Sequence, residues 1–292
     1  MSTPPQAEEV CALFHETADI MRSQSSRVGA CVHLPAQGRV VIAGDLHDHL
    51  TNWVRILQTA NLGPESNHLI IQELIHGPSL IHGCDMSWRM LARVAEQVRA
   101  HPGQVHPLLG NHENSQLTGV GVTKGGGNSV ELFTDGIAMT FGDAWPEVES
   151  AINAFLEAMP LAVRTASGVQ CSHSLPDAAM ASRFDPSILE RTLKDADRRG
   201  PDGSAYLMTW GRTFGESEVE AWCDAWSVSC FVIGHVLVEG GVRRMGPNVM
   251  ALASDRLDGA LLTLDLTAKP SIDEFMDQIT PLQLIQVKDW VG

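Results

Sequence analysis

Arg39-Val-Val-Ile-Ala-Gly-Asp-Leu-His47 decides how this chain is read. Four consecutive apolar residues after Arg39 make a short buried strand ending at Gly44-Asp45. Asp45 and His47 stand two apart. In an extended segment, side chains two apart leave on the same side, so both can face one cation. Downstream, Asn52 to Ala60 has a helical pattern and His68 to Ile75 reads as a second strand. Met86 to Ala100 follows as a long helix, closed by His101-Pro102-Gly103. Val105 to Leu109 is a third strand, running into Gly110-Asn111-His112-Glu113. Further on, Gly168-Val-Gln-Cys-Ser-His173 and Cys230-Phe-Val-Ile-Gly-His235 are two more strands that end on a histidine. Asn248 to Leu266 reads as two strands around a turn at Asp255 to Gly259. Upstream, Ala7 to Met21 is an amphipathic helix with Val10, Leu13, Phe14, Ala18 and Met21 on one face. Strands alternating with helices predict an α/β fold, in which ligand groups gather at the carboxyl ends of the strands. The Lys124-Gly-Gly-Gly-Asn128 stretch reads as a loop, since no P-loop spacing follows it.

The composition narrows the function. The chain has 292 residues, 44% of them hydrophobic and 19% charged, enough to bury a core, and no low-complexity linker divides it. Twenty basic against 35 acidic residues leave a net charge of −15. That balance argues against a nucleic-acid partner and against a polybasic membrane patch. An anionic substrate then requires positive charge concentrated locally, as a bound metal supplies. Six dispersed cysteines without a C-x-x-C pair read as reduced thiols. Met1 to Val10 has neither a basic nor an apolar signal region, and no apolar run approaches the ~20 residues of a membrane span. The expectation is a cytoplasmic protein.

Taken singly, the polar strand ends have ordinary explanations. A histidine there is commonly hydrogen-bonded structure, and an aspartate commonly caps a helix or a turn. As a set, Asp45 with His47, Glu73, Asn111 with His112, His173 and His235 bring oxygen and nitrogen ligands to one edge of a sheet. Mixed donors of this kind suit Mn, Fe or Zn better than Ca or Mg alone.

The ordered series is also specific. Gly44-Asp45-Leu46-His47 resembles the G-D-x-H segment of the calcineurin-like metallophosphatase superfamily, and Gly110-Asn111-His112-Glu113 matches its G-N-H-E segment. Pro160-Leu-Ala162, Cys171-Ser-His-Ser-Leu-Pro176, Ile233-Gly-His-Val-Leu-Val-Glu-Gly240 and Ala251 to Leu264 resemble later segments, most of all those of the serine/threonine phosphoprotein phosphatase branch. The resemblance implies two stacked mixed β-sheets flanked by helices. It divides the chain into an N-terminal helical segment packed on the core (1–38), a catalytic domain (39–266) and a C-terminal extension (267–292). It implies two metal ions, with Asp45, His47 and His235 on the first and Asn111 and His173 on the second. A carboxylate should bridge them where the family has Asp, and Glu73 is the sole carboxylate between Glu65 and Asp85. The longer side chain then calls for a small backbone retreat.

His112 becomes the general acid, oriented either by His76 or by Asp85. Arg212 becomes a phosphate ligand, while Arg89 reads as a surface helix residue. His15, His33, His68, His101 and His106 read as structural. His49 is either a helix-start residue or a support to the site. The implied reaction is phosphomonoester hydrolysis, phosphoserine or phosphothreonine included, by a metal-bridging hydroxide. Two other readings stand beside it: a small-molecule phosphoesterase acting on a dinucleoside polyphosphate or a metabolite phosphate, and a metal-binding interaction module without catalysis. The metals' identity and the oligomeric state stay open.

Overall fold

The computed structural model describes residues 6–121, 123–124, 127–269 and 271–287. Two sheets face each other. The first is mixed and seven-stranded: β1 (Arg27–Val28), β2 (Cys31–His33), β8 (Ala162–Arg164), β9 (Val169–Ser172), β10 (Cys230–Ile233), β12 (Val249–Leu252) and β11 (Val242–Arg244), in that spatial order. The second has five strands: β14 (Ile279–Pro281), β13 (Ala260–Asp265), β3 (Arg39–Asp45), β4 (Asn67–Gln72) and β5 (Val105–Leu108). Within it β3, β4 and β5 run parallel, while β13 is antiparallel to β3 and to β14. The fold is therefore α/β, with two mixed sheets flanked by helices.

The two-residue period of the strands builds both cores. From β3, Val40 and Ile42 enter the layer between the sheets, while Val41 and Ala43 face the helices. From β10, Val232 goes between the sheets and Phe231 and Ile233 go under the helices, and β12 alternates in the same way. Strands apolar on both faces are what a doubly covered sheet requires. The helix face read at Val10, Leu13, Phe14, Ala18 and Met21 is buried on α1 (Ala7–Ser23), which packs against α3 (Trp88–Ala100) and α6 (Trp145–Ala158). The remaining helices are α2 (Leu50–Ala60), α4 (Asn111–Thr118), α5 (Ser129–Phe141), α7 (Asp195–Arg198), α8 (Ser204–Trp210), α9 (Glu216–Trp226) and α10 (Ile272–Met276).

Three details depart from the sequence reading. The strand expected over His68 to Ile75 stops at Gln72, because Glu73 adopts φ 44° and turns the chain out of the extended region. The two strands read around Asp255 to Gly259 do not pair with each other: β12 lies in one sheet and β13 in the other. The stretch read as a loop is flanked by paired two-residue strands, β6 (Thr123–Lys124) and β7 (Gly127–Asn128), and Gly125 and Gly126 lie outside the described residues. The cysteines form no disulfide among the described residues. None of the described helices is long and apolar enough to cross a membrane.

Candidate metal and catalytic site

The site forms where β3, β4, β5, β9 and β10 end. After β3 the chain turns sharply into α2, and His49 caps that helix, its Nδ1 accepting from the Asn52 N–H at 3.2 Å. His49 is thus a helix-start residue. The turn lies against the segment after β4: the N–H groups of Leu46 and His47 donate to the Glu73 carbonyl at 3.0 and 2.9 Å, and that of Asp48 donates to Leu74. Across the sheets, the His235 N–H lies 3.0 and 2.9 Å from the two Asp45 carboxylate oxygens. A Cβ on Gly234 would meet Asp45 Oδ1 at 2.1 Å, so this approach requires glycine. His47, Glu73, His76 and His235 all have positive φ. Such conformations cost of order 1–3 kcal/mol each and persist where the surroundings enforce them, commonly at functional sites.

The ligand-type atoms converge. Glu73 is 2% exposed, and its carboxylate is the hub. Oε1 lies 3.4 Å from His112 Nε2, while Oε2 lies 3.5 Å from His173 Nε2 and 3.7 Å from His47 Nε2. Two groups have their donor atoms within 4.8 Å of one another: His47, Glu73 and His112, and Glu73, His173 and His235. Glu73 belongs to both. The partition differs from the expectation, since His235 gathers with His173 rather than with His47. Asp45 sits between, with Oδ1 3.7 Å from His173 Nδ1.

The donors fit a cation. His47 Nδ1 faces the Ile75 carbonyl at 3.0 Å, which leaves Nε2 with a lone pair pointing toward Glu73. Burial, then the neighbouring imidazoles of His235, His112 and His47, hold His173 well below the ordinary histidine range, so it is neutral. Its Nδ1 faces Gln72 Oε1 at 3.0 Å and its Nε2 faces Asn111 Oδ1 at 2.8 Å. A neutral imidazole has one ring proton, so one of these contacts sets lone pair against lone pair. A cation held by Asn111, His173 and Glu73 would turn that repulsion into coordination. Burial first, then Arg212, holds His235 down to about 3, which also keeps it in the form a metal takes. Burial first, with a smaller push from the Asp255 charge, drives Asp45 upward, against its contacts with Glu73, His47 and the His235 N–H.

Behind His112, the two candidate orienting groups form one buried chain. His76 Nδ1 and Asp85 Oδ2 are 2.7 Å apart, and each residue is 3% exposed. The His76 ring stands edge-on to His112 with centroids 5.0 Å apart. Ser87 ties the pair together, its Oγ accepting the His76 N–H and its N–H donating to Asp85 Oδ1. Both candidates are therefore in place, in series. Glu113, fully buried, braces the same turn: Oε1 accepts from the Leu74 N–H at 2.7 Å and the Ile75 N–H at 3.4 Å. Its place in the G-N-H-E segment does not announce this bracing role. Nor does the sequence mark Gln72, whose contact with His173 spans 101 positions.

A cavity of about 400 Å³ opens over this floor. Arg212 lines one side, its N–H held by Asp177 Oδ1 at 2.7 Å, with Trp210 beside it. Arg256 also lines the cavity, bonded to the Val238 carbonyl, as does the 75% exposed Leu237. No local sequence signal marks Arg256, which lies in the turn between strands of different sheets. Arg89 is exposed on α3, over the Trp88 ring, and is not among the lining residues. His68 and His106 pair with each other, Nδ1 to Nε2 at 3.3 Å, on β4 and β5.

Comparison with known proteins places this geometry. A serine/threonine-protein phosphatase of Caenorhabditis elegans is 24% identical over 245 residues, which are 80% of this chain and 49% of that protein. The chain thus spans about half the length of the curated relative it matches. Among solved structures, a protein serine/threonine phosphatase from Saccharomyces cerevisiae superposes with a TM-score of 0.66 at 16% identity, over 89% of this chain and 83% of that one. A cold-active protein-tyrosine phosphatase from a psychrophilic Shewanella superposes with a TM-score of 0.53 at 17% identity, over 85% and 80%. At such identities the superpositions show the shared fold. The sequence model of the calcineurin-like phosphoesterases matches residues 38–239, which run from β3 past His235, and the chain belongs to that family.

Proposed function

We propose that this phosphoesterase is a two-metal hydrolase of phosphomonoesters, phosphoserine and phosphothreonine among them. The observation that carries the reading is the Glu73 carboxylate, which is common to two groups of metal-competent side chains. Asp45, His47 and Glu73 would hold one cation, and Glu73, Asn111, His173 and His235 the other, with Mn, Fe or Zn suited to these donors. When bound, two such ions supply Lewis acidity and a water of lowered pKa.

The chain's own residues do the rest. Arg212 and Arg256, both lining the cavity, bind the phosphoryl oxygens and hold phosphorus in line with the leaving group. His112 delivers a proton to the departing alkoxide, in the orientation set by His76 and Asp85. Gln72 and the Ile75 carbonyl fix the ring faces of His173 and His47. The C. elegans relative is a serine/threonine-protein phosphatase, which favours a phosphoprotein substrate over a small phosphoester. The test is hydrolysis of phosphopeptides, p-nitrophenyl phosphate and dinucleoside polyphosphates, with Mn²⁺ added and after chelation. Phosphopeptide turnover that is lost on chelation is expected. No turnover of any phosphomonoester with any of the three metals overturns the proposal.

A further inference from the structure

A second cavity, of about 460 Å³, lies away from the strand ends and has no part in the reaction above. Three arginines line it: Arg22 near the end of α1, Arg27 on β1 and Arg198 at the end of α7. They come from a chain of net charge −15, so their convergence runs against its overall balance. Arg27 has a structural job, since its guanidinium donates to the carbonyls of Gly29, Met21 and Ala158 and so joins α1 to α6. Arg198 has no such account. It is 8% exposed, its Nη2 reaches only the Glu157 carbonyl, at 3.5 Å, and its Nη1 is buried without a hydrogen-bond partner among the described residues. Neither Arg27 nor Arg198 has a carboxylate within ion-pair distance among the described residues. The two acids on the cavity wall, Glu157 and Asp195, pair instead with Arg22 at 3.8 Å and Arg199 at 3.4 Å.

A buried guanidinium without a direct ion pair is costly, and nearby like charges raise that cost; at Arg198 burial outweighs the attraction of Glu157, Asp195 and Asp197. Burial, then Arg22 and Arg198, lower Arg27 to about 10, which registers the mutual repulsion. A ligand carrying negative charge and several acceptor oxygens removes both problems together. Guanidinium forks match phosphate geometry and are the usual means of binding it.

We infer that the cavity between Arg22, Arg27 and Arg198 is a binding site for a phosphate-type oxyanion, separate from the catalytic centre. Thr192 on the same wall offers a hydroxyl to such a ligand. The site is tied to the catalytic helix, because Asn114 of α4, three residues after Asn111, donates from Nδ2 to the Arg198 carbonyl at 2.8 Å. The cavity is roomier than a bare phosphate fills, so the anion is either free orthophosphate or the phosphoryl group of a small phosphorylated metabolite.

The test uses tungstate as a heavy phosphate mimic in crystals of the metal-loaded protein, with calorimetric titration of orthophosphate and of a nucleoside monophosphate. Tungstate is expected at two places, beside Arg212 and between Arg22 and Arg198. The second should persist after chelation, whereas the first depends on the catalytic reading alone. Arg198→Gln should weaken the second site at least tenfold, and Arg22→Gln, a change at a half-exposed residue, should do so without risk to folding. Tighter binding of the nucleotide assigns the spare volume to its organic part, and equal binding assigns the site to orthophosphate. Absence of tungstate from this cavity, or wild-type affinity in both folded variants, overturns the inference.

Discussion

His112→Asn separates two roles that the geometry brings close together. His112 Nε2 lies 3.4 Å from Glu73 Oε1, and the residue shares a metal-competent group with His47. It is also backed by the buried His76 and Asp85 pair, an arrangement that orients a proton donor. As a general acid it contributes about 10²–10⁴-fold. At about 1.4 kcal/mol per tenfold, that is roughly 3–5 kcal/mol of transition-state stabilisation. The contribution depends on how much the leaving oxygen needs a proton. Loss should reach this range on a phosphoserine peptide and be much smaller on p-nitrophenyl phosphate, whose phenolate leaves readily. His47, Glu73, His173 and His235 are untouched, so metal content should stay at the wild-type value. The assay is kcat/KM on both substrates together with elemental analysis of the purified variant. Equal loss on both substrates would refute the proton-transfer role, and loss of metal would make His112 a ligand.

Glu73→Gln should lower the occupancy of both metals together, measured by elemental analysis, and activity should fall with them; two metals at wild-type affinity would place the bridge elsewhere. Gly234→Ala puts a Cβ where Asp45 Oδ1 lies 2.1 Å away, so Asp45 must move and metal affinity should drop at least tenfold in a chelator competition. Arg256→Ala should weaken orthophosphate inhibition and raise KM about tenfold or more, as loss of a charge-assisted bond predicts, while metal content holds. Burial keeps His106 down to about 3, against an ordinary 6.5. The unfolded chain therefore binds the extra proton first, and stability is full above about pH 6.5 and falls as the pH drops toward 3. Between about pH 7.5 and 5.5 this one group should cost about 1.4 kcal/mol, seen as a pH dependence of urea unfolding that is reduced by that amount in His106→Leu.

What could be read from the sequence was what depends on near neighbours. Val40 to Ala43, Phe231 to Ile233 and Val249 to Leu252 are apolar at every position because both faces are covered, and each run is short enough to be a strand. The motif residues at their ends were visible for the same local reason. Long-range pairing was not. Nothing near Leu252 or Ala260 announces that the chain crosses from one sheet to the other between them, and Arg256 takes its place over the cavity from that crossing. Gln72 gains its meaning from His173 on another sheet. His76 and Asp85 could not be ranked from sequence because the excursion between them folds the two side chains against each other behind His112.

The replacement of the family's Asp by Glu73 shows how a fold absorbs one methylene. A longer side chain on an unchanged strand end would drive its carboxylate past the histidines it serves. Here β4 stops at Gln72, and Glu73 itself takes φ 44°. A backbone retreat that suits the longer side chain would then be a change of dihedral region rather than a sliding of the strand. Its stability comes from neighbours that hold the turn: the Glu73 carbonyl takes the N–H groups of Leu46 and His47, and Glu113 takes those of Leu74 and Ile75. Gly110 completes the fit, because a Cβ there would meet Glu113 Oε2 at 2.5 Å and press on Glu73 at 3.4 Å. The Gly and the Glu of the G-N-H-E segment therefore serve the turn after Glu73, and its Asn and His line the cavity. Four consecutive residues divide between shaping the carboxylate's support and lining the space beside it.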